Sequence, residues 1–179
     1  MQKSVLRHMC EAGVIAALYA VLTLLIPALS FGPLQVRLSE LLTILPVFTP
    51  AAIPGLAIGC FFSNLFGIVS GANLAGAWDL LFGTTATVSA AVFARCCRNI
   101  RLFKLPILSA LFATVINGFV VGAELTIAVF NSQWALLPLC IAEVAVGELM
   151  AATIGGLLLC FVLEKTGASK SIFRGGISS

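Results

Sequence analysis

Charge is what this sequence has least of. Only 9% of its 179 residues are Asp, Glu, Lys or Arg, while 60% are hydrophobic. Soluble domains carry about 25% charged residues, so this chain cannot cover a surface that faces water. Histidine occurs once, as His8, and it sits among basic residues near the start. There is no HExxH, no nucleophile elbow and no Gly-rich phosphate loop of Walker type. The six cysteines (Cys10, Cys60, Cys96, Cys97, Cys140, Cys160) include no CxxC or zinc-ligand spacing. They lie in or beside apolar runs, where a free Cys packs as a small hydrophobe. A secreted disulfide scaffold, a nucleic-acid-binding module and a conventional soluble enzyme are excluded.

What the chain does have is apolar length. Its mean hydropathy is +1.13, and apolar stretches cover about residues 10–27, 38–48, 53–69, 77–94, 106–130 and 136–163. Six spans of about 20 residues each would use most of the chain and leave short loops. The stretches lack the period-2 alternation of a barrel, so helices are expected, because backbone in lipid must satisfy its own hydrogen bonds. The fold class is an all-α integral membrane protein, one six-helix bundle over residues 1–179. The first stretch has a faint signal-peptide look, but its apolar run is too long, and it reads as a retained span. The second is short and framed by Pro46, Pro50 and Pro54. Charge argues that it crosses. With six crossings, nine of the ten Lys and Arg face one side and only Arg37 faces the other. Lys3 and Arg7, Arg95 to Lys104, and Lys165, Lys170 and Arg174 then share a side. By the positive-inside rule that side, with both termini, is cytoplasmic.

Acidic residues inside spans cost about 2.5–3.5 kcal/mol near the bilayer centre, so they mark function by default. Glu124 lies seven residues before Asn131, which puts it about 10 Å below the outer end of its helix. Glu143 lies nine residues after Trp134, at a depth of about 14 Å. With Glu40 and Asp79, the outer half gathers four carboxylates against one arginine, while Asn117 and Glu148 sit deeper. Buried hydrogen bonding between helices is the alternative for these groups, and for Glu148 the two readings are equally open. Trp78 and Trp134 flank the same mouth, either as an interfacial belt or as stacking surfaces for a planar heterocycle. Arg37 and Glu40 have the spacing of a local ion pair, or else both meet a ligand. Anionic acceptors facing outward suit a ligand that is cationic or rich in N–H donors. On the first helix Ala12, Ala16 and Ala20 form a small-residue stripe that lets another helix approach, from within the chain or from a partner.

A chain of this size with that stripe resembles the substrate-binding S-components of energy-coupling factor transporters. Within them, the run Gln35-Val36-Arg37-Leu38-Ser39-Glu40-Leu41-Leu42-Thr43-Ile44-Leu45-Pro46 is similar to the QueT family. Phe48 to Leu56 and Asp79 to Thr87 support the match. The resemblance implies a fold of six membrane helices and import of queuosine precursors, which are 7-deazaguanine bases or close relatives. It also implies partners: a membrane coupling (T) subunit that would dock on Ala12, Ala16 and Ala20, and two cytoplasmic ATPase subunits that use the ATP. No cofactor is expected in this chain, and no enzymatic activity. A guanine-like edge offers N–H donors to a carboxylate, and an aminomethyl cation would take a second one. The implied site residues are Gln35, Arg37, Glu40, Asp79, Asn117, Glu124, Trp134 and Glu143. Alternatives are an S-component for another vitamin-like heterocycle, or an intramembrane hydrolase using a carboxylate, for which no partnered His, nucleophile or metal set is present.

Overall fold

The computed structural model describes residues 2–32 and 35–173; Arg174, counted above among the basic flanks, lies outside them. Helix α1 covers Gln2–Leu25, and Pro27 opens the single turn α2, Pro27–Ser30. A proline is suited to the first helical position because its missing N–H would have no partner there. Leu38–Val47 form a 3-10 helix, followed by α3 (Ala52–Val69), α4 (Ala77–Cys96) and α5 (Ile107–Ala128). A short turn at Trp134–Leu136 leads into α6 (Leu137–Glu148), a π-helical stretch at Leu149–Gly155, α7 (Gly156–Lys165) and the short α8 (Ala168–Ile172). Trp134 to Lys165 thus form one 32-residue rod.

Five helices are long and apolar enough to cross a membrane: Val5–Leu25, Ala52–Val69, Ala77–Cys96, Ile107–Ala128 and Trp134–Lys165. The second expected span, 38–48, is instead the 3-10 segment. With a rise of about 2.0 Å per residue, its ten residues advance about 20 Å. It is nearly all buried, wrapped by its neighbours. Its hydrogen bonds run the length of the bundle. At one end Arg37 meets Asp79 in the first turn of α4. At the other, Arg95 in the last turn of α4 donates to the carbonyls of Pro46 (2.9 Å) and Val47 (3.3 Å). That cation satisfies carbonyls that the end of a helix leaves open.

The bundle is apolar outside and mixed inside. Val14, Leu18, Val21, Phe61, Phe62, Phe66 and Phe119 point outward, while Thr23, Ser39, Glu40, Asn64, Asp79, Thr87, Asn117, Glu124 and Glu148 are buried among apolar core residues. So apolar an exterior suits lipid, where helices gain little from burying more apolar surface and associate through close packing and hydrogen bonds.

The alanine stripe serves that close packing. Ala12 and Ala16 are each only 8% exposed and face α3. A Cβ added at Gly59 would come within 2.8 Å of the Ala16 carbonyl oxygen, and one at Gly55 equally near that of Ala12. Ala20 is half-buried. The small residues contribute to the α1–α3 contact, and α1 turns Gly13, Val14, Ala17 and Leu18 outward.

The two ends of the chain meet. Arg7 Nη2 donates to the Ile172 carbonyl at 2.8 Å, and Arg101 pairs with Glu164 at 2.6 Å. The α4–α5 loop therefore lies at the same end as both termini, and the turn after α5 lies at the other. This arrangement predicts the outcome of labelling with a membrane-impermeant thiol reagent. In a chain whose six cysteines are replaced, Ser132→Cys and Thr166→Cys, both exposed, should react from opposite faces of the membrane. Reaction from one face would contradict the fold.

Candidate functional site

Two groups of buried polar side chains occupy the bundle. The first gathers around Arg37, at the end opposite the termini. The guanidinium pairs with Asp79 through Nη2, donates from Nε to the Ser30 carbonyl at 3.1 Å and lies over the Phe31 ring, 5.4 Å from its centroid. Asp79 is fully buried. It accepts a second bond from Asn73 Nδ2 (2.9 Å), and Asn64 Nδ2 donates to its carbonyl (2.8 Å). The aspartate stands in the first turn of α4, where a negative charge suits the helix dipole. Gly83, one turn on, leaves room for its carboxylate: a Cβ there would overlap Asp79 Oδ1. Glu124 of α5 is within electrostatic reach of this pair, 1% exposed, and neither of its carboxylate oxygens has a hydrogen-bond partner.

The second group lies deeper. Glu40 accepts from the Tyr19 hydroxyl and from Thr87 Oγ1 (3.3 Å). Thr23 donates to Ser39 Oγ at 2.7 Å beside them. Asn117 of α5 and Glu148 of α6 lie within electrostatic reach of Glu40. Eight residues of α4 separate Asp79 from Thr87, and seven of α5 separate Glu124 from Asn117. Both place the groups about 10–12 Å apart along the bundle.

The chemistry is one-sided. The Arg37 donors are engaged by protein acceptors. The buried atoms left over are Asp79 Oδ1, both Glu124 oxygens, Glu40 Oε2, Asn117 Oδ1 and Glu148 Oε2, every one of them an acceptor. A buried polar atom without a partner costs about 1–3 kcal/mol. Groups arranged this way suit a bound molecule that brings several N–H donors, and among the described residues no cluster of three His, Cys, Asp or Glu suits a metal ion.

Of the eight residues singled out in the sequence, Gln35, Arg37, Glu40, Asp79, Asn117 and Glu124 are buried. Glu143 is half-buried on α6, and Trp134 is 58% exposed. Two expectations change. Arg37 bridges to Asp79 rather than to Glu40, and Glu40 belongs to the deep group, not to the rim. Sequence reasoning passed over Tyr19, Thr87 and Asn64. A tyrosine that is unique in the chain and falls in the middle of an apolar helix was the available signal for the first.

An all-helical bundle, apolar outside and with carboxylates buried inside, defines a multi-pass membrane protein. The family model of the QueT transporter matches residues 9–165, and the chain belongs to that family. It is therefore a transporter and not an enzyme. The queuosine precursor transporter QueT of Lactococcus lactis subsp. cremoris (strain MG1363) is 38% identical over 66 residues, which are 36% of this chain and 39% of that protein. The match thus spans about two fifths of the relative's length. No solved structure matches this chain.

The Arg37–Asp79 pair generates a stability prediction. Removing one partner of a buried ion pair strands the other and costs about 3–5 kcal/mol, whereas replacing both by apolar groups is often neutral. Asp79→Leu should lower the thermal unfolding temperature in detergent clearly. The double variant Arg37→Met with Asp79→Leu should recover most of the loss. A double variant no more stable than the single one would show that the pair is not what the fold needs here.

Proposed function

We propose that this chain is the substrate-capture subunit of an energy-coupling factor importer and that its cargo is a queuosine precursor, a 7-deazaguanine base. The observation that carries the reading is the pair of unpartnered Glu124 oxygens, buried beside the Arg37–Asp79 pair. A guanine-type edge presents adjacent N–H donors, and a carboxylate with both oxygens open accepts two of them side by side. The cargo named for the Lactococcus relative points the same way.

In this reading Gln35, Arg37, Glu40, Asp79, Asn117 and Glu124 line the site, with Trp134 and Glu143 at its rim. The chain crosses the membrane six times, the 3-10 segment making the second crossing. The end that carries the termini and the Arg95–Lys104 loop faces the cytoplasm, in keeping with positive-inside bias. The sequence has no nucleotide-binding loop, so the energy comes from partners: a membrane coupling subunit and two cytoplasmic ATPase subunits. The α1 face open to the coupling subunit runs through Gly13 and Ala17, next to the buried alanine stripe.

Glu124→Gln tests the site. The amide keeps the size, removes the charge and sets an N–H donor against the donors of the base. A lost charge-assisted bond is worth about 1.5–3 kcal/mol and a donor left unsatisfied about 1–3, and about 1.4 kcal/mol is tenfold in affinity. Calorimetric titration of the purified variant with a 7-deazaguanine should show binding weaker by roughly tenfold to several hundredfold. Affinity equal to that of the parent would remove Glu124 from the site.

A further inference from the structure

We propose that the hairpin between α4 and α5 docks on anionic phospholipid, with Phe103 inserted among the headgroups and Arg98 and Lys104 meeting the phosphates. The inference is independent of the cargo. It concerns the outer surface at the end of the bundle that carries both termini.

The loop is strained and braced. Leu102 and Leu105 exchange backbone hydrogen bonds of 2.9 and 3.0 Å, which closes a hairpin on two residues, Phe103 and Lys104. Both have positive φ, 52° and 67°, as the primed turn of a tight hairpin demands. Asn and Gly take these positions most readily, and a bulky phenylalanine there is an outlier. Such strain persists only where the surroundings hold it, and it gathers at binding sites. Here Arg101 holds it. Its Nη1 donates to the Lys104 carbonyl at 3.2 Å and pairs with Glu164 of α7 at 2.6 Å. The result is a tip on which Phe103 is 86% exposed, with Ile100 and Leu102 more than half exposed beside it.

Charge and position name the partner. No acidic residue lies between Asp79 and Glu124, and Glu164, which reaches the loop, is engaged by Arg101. Arg98 and Lys104 therefore set net positive charge around three apolar side chains. The loop also joins two helices that are long and apolar enough to cross a membrane. Phe103 stands four residues before Ile107, the first residue of α5, which holds it within about 13 Å of that helix. The tip thus stays near the bilayer surface. Basic residues beside a membrane helix are drawn to anionic lipid, and an apolar ring gains by entering the boundary between headgroups and acyl chains.

The test uses the full chain in vesicles of phosphatidylcholine, with or without phosphatidylglycerol. Trp78 and Trp134, the two tryptophans of the chain, are replaced by Phe, and Phe103→Trp supplies the reporter. With phosphatidylglycerol its emission should shift to the blue and be quenched by lipids brominated on their acyl chains. In phosphatidylcholine alone the quenching should be weaker. A cation beside an anionic surface is worth about fivefold in association, so Arg98→Gln with Lys104→Gln should remove most of the difference between the two membranes. High salt should do the same. Phe103→Asn with Lys104→Gly suits the turn better and should be at least as stable as the parent in detergent; a loss of stability would make Phe103 a residue of the fold and overturn the proposal. Unquenched emission typical of water in both membranes would overturn it and assign the tip to a soluble partner. Equal quenching with and without phosphatidylglycerol would overturn it as well, because the cations would then select nothing.

Discussion

The ion pair between Arg37 and Asp79 is the contact on which the geometry of the site depends. It joins the start of the 3-10 segment to the first turn of α4 and, through Ser30 and Phe31, to the end of α2. Two charges taken out of water are tolerated only where geometry and additional hydrogen bonds offset their lost hydration. Asn73, the Ser30 carbonyl, the α4 dipole and the space left by Gly83 supply that setting. Its hydrogen bonds go to Asp79 and Ser30, so Glu124, Glu40 and Glu148 meet its charge only at a distance.

The consequence is an interior with more acceptors than donors. In lipid this is expensive, because no solvent stands by to complete the missing bonds. In the proposed function this arrangement has a use. A cargo that brings N–H donors would meet these acceptors in charge-assisted bonds, and an analogue without those donors would leave them unmatched.

Much of this was legible in the sequence. Apolar length marked the five long helices, and Glu124 and Asn117 are buried on α5 within one of them. Three things were not legible, each for a physical reason. The segment from Leu38 to Val47 reads as a short apolar helix, and only its neighbours decide that it runs as a stretched 3-10 helix through the centre. Arg37 stands just before that helix in extended backbone, so its side chain turns to Asp79 and not to Glu40. The stripe of Ala12 and Ala16 marks a close helix contact, but small residues pack as well against α3 as against another protein, and periodicity carries no information about which. Glu148 lies near Glu40, across the fold, and no spacing along the chain announces that proximity.

The most direct measurement is a structure of the chain with a 7-deazaguanine base bound in a lipid nanodisc. The proposed reading predicts ring N–H groups at about 2.7–2.9 Å from Glu124, with Arg37 still paired to Asp79. A base bound elsewhere, or one held by an Arg37 released from Asp79 while the carboxylates keep their present surroundings, would contradict it.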